Sequence, residues 1–413
     1  MIGRRRSGPA LAAVPDVEVV VVGGGPAGSA LAGLLAAAGR EVVLLDKARF
    51  PRHKACSEYV NPEGVRLLGE LGVADAVREA GPHVVERMEV HAPGGDRFVA
   101  DFRGLDAERY AIGLSRYRLD ETLLRHAQLQ GVDVREGVQV RDVLRDGERV
   151  VGVEAKCGDG KEAIRARLVV GADGRYSVVS RVLGLDRPVP LLRQTGLVAH
   201  YRGVEGFECH GELHVGRQGY AGIAPLEDGL TNVAYVAGAE TVATRGMEIE
   251  RFFEESLAAM PLVKERLTGA RRVGGIRGIG PMAHRTCRTA GDGFILVGDA
   301  AGFLDPFTGE GIYEALRAAQ IAAPVVAAAL RSRDTSAGAL EPYRRARRRA
   351  FAAKRQVCWI VQAFIHSPAL MDYVAPRLDR RQEVGRTLTG VLGDFRPARQ
   401  ALSPLFLARL LRP

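Results

Sequence analysis

The sequence contains no C-x-x-C pair, and its five cysteines, Cys56, Cys157, Cys209, Cys287 and Cys358, are odd in number and far apart. Neither a disulfide framework nor a zinc site is expected. No stretch reaches the roughly 18 consecutive apolar residues that a membrane span needs. Arg4, Arg5 and Arg6 resemble the charged start of a signal peptide, but Pro9 and Pro15 break the apolar segment after Ser7 before a long hydrophobic region can form. The expected location is the cytoplasm, with peripheral contact as the one membrane association in view. Tryptophan is almost missing, Trp359 being the single one. Basic residues are not interleaved with aromatics and no reading motif accompanies them, so nucleic acid is not expected as a partner.

What is present is an ordinary globular composition, 46% hydrophobic and 26% charged. At 413 residues the chain is too long for one core and suits two domains plus an appendage. The 58 basic and 49 acidic side chains leave a formal charge of +9, which suits an anionic substrate or membrane surface. The excess is concentrated in Arg344, Arg345, Arg347, Arg348, Arg349, Lys354 and Arg355, and the simplest reading of that run is a solvated helix face.

Glu18 to Val22 reads as a buried strand that enters Gly23-Gly24-Gly25-Pro26-Ala27-Gly28-Ser29, after which Ala30 to Ala38 is strongly helical. Gly23 permits the tight turn, Gly25 lets backbone approach a pyrophosphate, and Gly28 lets helix and strand pack closely. The helix start offers free N–H groups and a positive dipole end to phosphates. Gly39 ends the helix, Glu41 to Leu45 forms a second strand, and Asp46 closes it where an acid hydrogen-bonds a ribose hydroxyl. An acid there disfavours a 2′-phosphate, leaving FAD or NAD as the nucleotide. The alternative is a βαβ unit with a merely structural turn.

Two later segments have the same strand-to-turn form. Leu168-Val169-Val170-Gly171-Ala172-Asp173-Gly174 precedes a short helix, Val178 to Leu183, that ends at Gly184. Gly293-Phe294-Ile295-Leu296-Val297-Gly298-Asp299 leads to Pro306 and then to Gly309-Glu310-Gly311-Ile312. In the latter, a strand delivers Asp299 to the sheet end, where a carboxylate can take a ribityl hydroxyl. A helix opening at Gly309 to Gly311 would aim its N–H groups at a flavin and favour the anionic reduced ring. The run Gly274 to Gly280 is followed by Pro281 rather than a helix, so it reads as a strand with a turn and not as a second nucleotide fingerprint. NAD(P)H or another reductant would then visit only transiently as electron donor.

Together these motifs resemble the glutathione-reductase-type FAD fold in its p-hydroxybenzoate-hydroxylase-like branch, over roughly residues 16 to 330. The resemblance implies FAD as cofactor, with Asp173 and Gly174 in an Asp-Gly motif and Gly298 and Asp299 in a Gly-Asp motif at ribose or ribityl groups. It further places Ala27, Asp46 with its neighbour Lys47, Gly311 and Ile312 along the cofactor, Arg116 at the flavin and Val140 at the adenine. The segment Phe50-Pro51-Arg52-His53-Lys54-Ala55-Cys56-Ser57, with Asp305 to Ile312, is similar to the geranylgeranyl reductase family. That family's loop often reads Lys-x-Cys-Gly and lies near the isoalloxazine ring, and Ser57 departs from the glycine. Cys56 is the candidate catalytic residue, as proton donor or gate, although a lone cysteine is commonly a small buried hydrophobe. A lone loop histidine such as His53 is more often surface than acid. Cys209, His210 and His214 invite a metal reading, which the strand-like surroundings disfavour because no helical His-x-x-x-His face results.

The fold class expected is α/β: a Rossmann-like FAD-binding domain of residues 16–82, 104–187 and 284–340, with an inserted β-sheet substrate domain of residues 83–103 and 188–283 and a helical C-terminal tail, 341–413. The inserted blocks show alternation with glycine turns, as in Thr231 to Val236. The apolar stretch around Trp359 and that of Leu405 to Leu411 suggest that the tail packs on the core; contact with anionic lipid is the sharper alternative. The function expected is reduction of carbon–carbon double bonds in an isoprenoid or other apolar substrate, a prenyl lipid included. A flavin monooxygenase acting on an aromatic or polyketide-like substrate is the rival, and a non-catalytic flavin or lipid carrier the third reading. Halogenation is disfavoured because no Trp-x-Trp-x-Ile-Pro segment is present.

Overall fold

The computed structural model describes residues 16–158 and 160–412; the segment Arg4 to Pro15 lies outside the described residues. The first strand, β1 (Val17–Val22), carries valine at five of six positions and is buried along most of its length, as befits a strand with neighbours on both edges and helices on both faces. Gly23, at φ 104°, turns the chain into α1 (Pro26–Ala37), which has Gly25 at its N-cap, proline in its first turn and no acidic side chain there. β2 (Val42–Asp46) returns parallel to β1, Val19 lying opposite Val42. The expected strand–turn–helix–strand unit is thus present to within a few residues at each boundary, the helix beginning earlier because Pro26 is pre-set for its first turn.

β3 (Asp133–Glu136) adds beside β2, while β4 (Gly160–Gly171) pairs with the other edge of β1 and β5 (Phe294–Leu296) follows it. The parallel order is β3-β2-β1-β4-β5. This is the doubly wound arrangement whose topological reversal leaves a crevice at the carboxyl ends of β1 and β4. Helices α2 (Arg116–Leu129), α3 (Gly311–Arg331) and α4 (Ala337–Ile365) have buried residues, Leu119, Leu123, Leu316 and Tyr343 among them, in one core with Leu31 and Leu35 of α1.

A second, seven-stranded sheet runs in the order Arg271–Ile279, Gln194–Arg202, Leu230–Gly238, Gly219–Pro225, His210–Val215, Arg87–His91 and Arg97–Asp101. The two inserted blocks therefore do build one sheet, joined where His210–Val215 runs parallel to Arg87–His91. Three boundaries differ from expectation. His83–Val85 pairs with Ala111–Gly113 in a small separate sheet, because its partner strand lies on the dinucleotide side. Three helices, Ala239–Ala243, Ile249–Ala258 and Pro261–Arg266, interrupt the block read as continuous strand; Phe252, Phe253 and Leu257 recur at helical spacing and cover one sheet face. The long tail helix starts at Ala337, capped by Ser336, four residues before the expected boundary. The tail packs on the sheet: Val357, Ile365, Val374 and Leu378 share a core with Val90, Phe98 and Tyr220.

No helix among the described residues is long and apolar enough to cross a membrane.

Candidate active site: a flavin cleft continuous with an apolar sheet

The three glycine-containing turns meet because each follows a neighbouring strand at the same sheet end. A Cβ on Gly23 would stand 2.6 Å from the Ala172 carbonyl oxygen, and one on Gly28 would stand 1.9 Å from that of Gly23. First and second turns are therefore packed backbone to backbone. Gly298 faces Ala27 in the same way, 2.8 Å from a hypothetical Cβ to the alanine methyl. From this junction opens a cleft of about 1220 Å³. Of the residues singled out by sequence, Gly25, Ala27, Cys56, Arg116, Gly174, Gly298, Asp299, Gly311 and Ile312 line it.

The remaining sequence candidates stand behind or beside the cleft. Gly23 and Gly28 shape the turn. Asp46 accepts hydrogen bonds from Gly24 N and Ala48 N, each at 2.8 Å, and so braces the turn from the end of β2. Lys47 is exposed next to it. Val140 is buried in the strand Val138–Asp146. Asp173 accepts from Val178 N at 2.6 Å with one carboxylate oxygen, capping the short helix Val178–Val182, while its other oxygen has no partner.

Cations crowd the start of α1. Arg116 is 4% exposed and makes a two-pronged bond to Asp120, at 2.6 and 2.7 Å; Arg52 reaches the same carboxylate at 2.5 Å. Burial by itself would raise the Asp120 carboxyl, yet Arg116 and Arg52 outweigh it and hold it below the usual carboxylate range. A Cβ on Gly25 would lie 3.7 Å from both guanidinium groups. The bare space above Gly25 is thus bounded by backbone, two guanidiniums and a helix start that carries no acid. That set suits a diphosphate. Lys54 lines the same cleft beside Gly174, and burial followed by repulsion from Arg116 lowers its ammonium pKa.

The Cys56 loop is fastened to both domains by a residue that sequence reasoning did not single out. Glu58 has a positive φ of 58° and is wholly buried. Its carboxylate accepts from Arg116 N at 2.8 Å and from Asn232 Nδ2 at 2.9 Å, and pairs with His200 Nε2 at 2.5 Å. Asn232 also donates to the Cys56 carbonyl at 2.9 Å. A left-handed glutamate is strained backbone that persists because the surroundings over-determine it. His200 and Asn232 lie 142 and 174 residues away, so no local pattern could have marked it. His53, expected at the surface, is half-buried edge-on to His200 at 4.9 Å, and desolvation lowers it to about 4. At neutral pH it has no proton to give as an acid.

Beyond Cys56 the seven-stranded sheet forms the cleft wall with Val198, Leu213, Ala234 and Val236 and no charged side chain, and Met282 adds to it. Tyr220 is the exception in polarity: its hydroxyl donates to Asp305 at 2.9 Å. Burial and that carboxylate push the phenol well above its ordinary value, and burial also brings Asp305 up to about 6. A second chamber of about 670 Å³, with Met88, Val90, Phe102 and Phe307 in its walls, shares Ser57, Tyr59, Leu213 and Gly222 with the cleft.

His210, Glu212 and His214 lie away from this cleft's polar end but do share a strand face, since alternation has period 2. Glu212 pairs with His214 at 2.9 Å, His210 at 3.4 Å and Arg266 at 2.7 Å, and His91 stacks on His214. Cys209 is outside that group. A helical face is therefore not needed: the strand alone brings His210 and His214 together on Glu212.

A crevice at the reversal of a doubly wound sheet, bounded by glycine turns and buried guanidiniums, defines a flavoprotein dinucleotide site. The sequence profile of a FAD-binding domain family matches residues 16–357. Digeranylgeranylglycerophospholipid reductase 2 of Methanopyrus kandleri is 33% identical over 346 residues, 79% of this chain and 81% of that protein. Tryptophan 2-halogenase of Chondromyces crocatus is 31% identical over 340 residues, 80% of this chain and 65% of that protein. The solved structure of the myxobacterial chondrochloren halogenase, a FAD-dependent halogenase, superposes with a TM-score of 0.78 at 28% identity, covering 83% of this chain and 81% of that one. The chain belongs to the FAD-binding family and, within it, to the geranylgeranyl reductase family of FAD-dependent oxidoreductases.

Proposed function

We propose that the chain reduces carbon–carbon double bonds of an isoprenoid or similarly apolar substrate. The observation that carries this reading is the continuity of the flavin cleft with a sheet wall that offers no charge and, in Tyr220, a phenol already committed to Asp305. A polar aromatic substrate would leave its hydrogen-bonding groups unpaired against such a wall, at a cost of about 1–3 kcal/mol for each buried group. A hydrocarbon chain loses nothing there, and the second chamber gives its far end a place to lie.

Reduced FAD supplies the hydride when bound; NAD(P)H or another reductant visiting transiently would recharge it. Gly25, Arg52 and Arg116 would hold the diphosphate, Asp46 and Asp299 would take ribose and ribityl hydroxyls, and the uncapped start of α3 at Gly311 and Ile312 would serve the ring end. The proton for the second carbon comes from Cys56. Tyr220, on the sheet wall, is an acid held too far above neutrality to be a good donor. Glu58 positions Cys56 through Asn232 and the loop backbone.

Oxygen-dependent monooxygenation or halogenation is the second reading, supported by the likeness to tryptophan 2-halogenase. One experiment separates them. Photoreduced or dithionite-reduced enzyme is mixed anaerobically with a geranylgeranylated lipid, and flavin reoxidation is followed alongside product mass. The reductase reading expects reoxidation with two hydrogens gained per bond; turnover that starts only on adding oxygen, or oxygen and halide, overturns it.

A further inference from the structure

The arginine run read from sequence as a solvated face is partly buried. Arg347 and Arg348 of α4 lie three and four residues after Arg344, and Arg355 lies seven after Arg348, which places all four along one side of the helix. With Arg288, from the loop after the strand His284–Thr286, they line a groove of about 620 Å³. Glu341 is the one acid in that lining, and it is already bound to Arg344 at 2.6 Å and Arg345 at 3.7 Å. Among the described residues no carboxylate lies within ion-pair distance of Arg288, Arg347, Arg348 or Arg355.

Arg347 is the telling member. It is 5% exposed, its Nε has no hydrogen-bond partner, and its guanidinium rests 5.4 Å over the Phe351 ring. Its compensation comes from the Tyr343 hydroxyl and from Glu314, a carboxylate beyond ion-pair distance that it shares with Arg355, and a buried guanidinium so weakly compensated favours a further anion. Arg355, two turns along, is lowered by burial and then by Arg347, while Glu314 pulls the other way without prevailing. Arg347, Arg355, Thr286 and Thr289 also line the adjoining cavity of about 1220 Å³, which runs past Glu310 and Glu314 to Phe303 and Gly311. Phe303 and Gly311 belong equally to the flavin cleft. Glu310 is occupied by Lys354 at 3.0 Å, and Glu314 stands beyond ion-pair distance of either arginine.

We propose that this groove is a second anion site, taking the phosphate or diphosphate of a ligand whose other end reaches the flavin cleft past Phe303 and Gly311. Paired guanidiniums match phosphate oxygens two by two, and the Thr289 hydroxyl at the rim adds a neutral donor. The ligand chemistry has two sources on this chain: a nucleotide electron donor, or the phosphorylated head of a lipid substrate.

The test is a calorimetric titration of the oxidised, FAD-loaded protein with inorganic diphosphate, with Trp359 fluorescence as a local reporter because that side chain lines the adjoining cavity. Saturable binding that weakens with added salt, reports on Trp359, and falls at least tenfold in Arg347→Gln with Arg355→Gln, at unchanged flavin content, is the expected result. Equal affinity in wild type and variant, or no saturable binding, overturns it. Should that doubly substituted chain fail to fold, Arg288→Gln with Arg348→Gln, both exposed, is expected to weaken diphosphate at least threefold, and no change there overturns the proposal. NADPH binding more tightly than diphosphate identifies the donor as source; a prenyl diphosphate doing so identifies the lipid head. Since no turnover is required, a failure of the reductase reading leaves this measurement intact.

Discussion

The two ends of the cleft are built on different principles. At the nucleotide end the contacts are between backbones: Gly23, Gly28 and Ala172 lie so close that a single added carbon has nowhere to go. At the sheet end the wall is made of side chains, and glycine positions such as Gly222 have an ordinary van der Waals neighbour, Leu213 at 3.4 Å. The first end recognises a fixed cofactor through geometry that tolerates no change. The second recognises a hydrocarbon by volume, which can be retuned one residue at a time.

The strongest way to break this contrast is Gly28→Ala. The new Cβ would sit 1.9 Å from the Gly23 oxygen, and neither backbone can yield without moving β1 or α1. The cost should reach or exceed the top of the ~1–3 kcal/mol that overpacking usually carries, with loss of most bound FAD. A purified variant with full flavin content and the wild-type thermal midpoint would show that the turn is not under that constraint.

The same contrast sets how much of the molecule is legible in the sequence. Gly23, Gly25, Gly28, Asp173, Gly298 and Asp299 signal themselves because a turn between strand and helix demands particular residue types at particular steps. The fold class follows from the resemblance that those turns carry, and the helical tail from its residue pattern. Glu58 carried no such signal, since its donors come from strands far along the chain and its positive φ shows only in three dimensions. Tyr220 with Asp305 was equally silent: tyrosine in a strand and aspartate before proline are each commonplace. The arginine run was visible but misjudged, because helical charge spacing does not reveal that Phe351 and the loop around Arg288 fold over part of it. His210 and His214 do not lie on a helix, and the strand face that unites them shows only once the strand is in place.

A gentler change sharpens the contrast from the other side. Gly222 lines both the cleft and the second chamber, so Gly222→Leu should narrow the passage between them while leaving the cofactor turns untouched. FAD content and stability are expected to stay near wild type. With substrates of increasing prenyl length, kcat/KM should fall about tenfold, roughly 1.4 kcal/mol in the transition state, for chains long enough to enter the chamber and stay level for short ones. A uniform loss across lengths would mean that the chamber does not receive the chain.

The smallest expected effect concerns acid. Four of the nine histidines, His91, His200, His210 and His214, stand on strands of the seven-stranded sheet. His91 is lowered to about 4, first by burial and then by the His214 ring stacked on it at 4.6 Å; Glu212 and Glu89 pull the other way without prevailing, and Arg97 opposes protonation slightly. Its folded pKa thus lies below the unfolded value of roughly 6.5. The unfolded chain takes up this proton first, so the stability associated with neutral His91 is intact above about pH 6.5 and drains away as pH falls toward 4. Solvent at the partly open ring reduces the effect to something on the order of 1 kcal/mol. Denaturant midpoints measured between pH 7 and 4 should therefore decline less steeply in His91→Gln than in wild type. Parallel slopes would place the acid sensitivity elsewhere, in His53 beside the Cys56 loop, which has the same depressed value and the same sign, and would make the cofactor end the more acid-sensitive of the two.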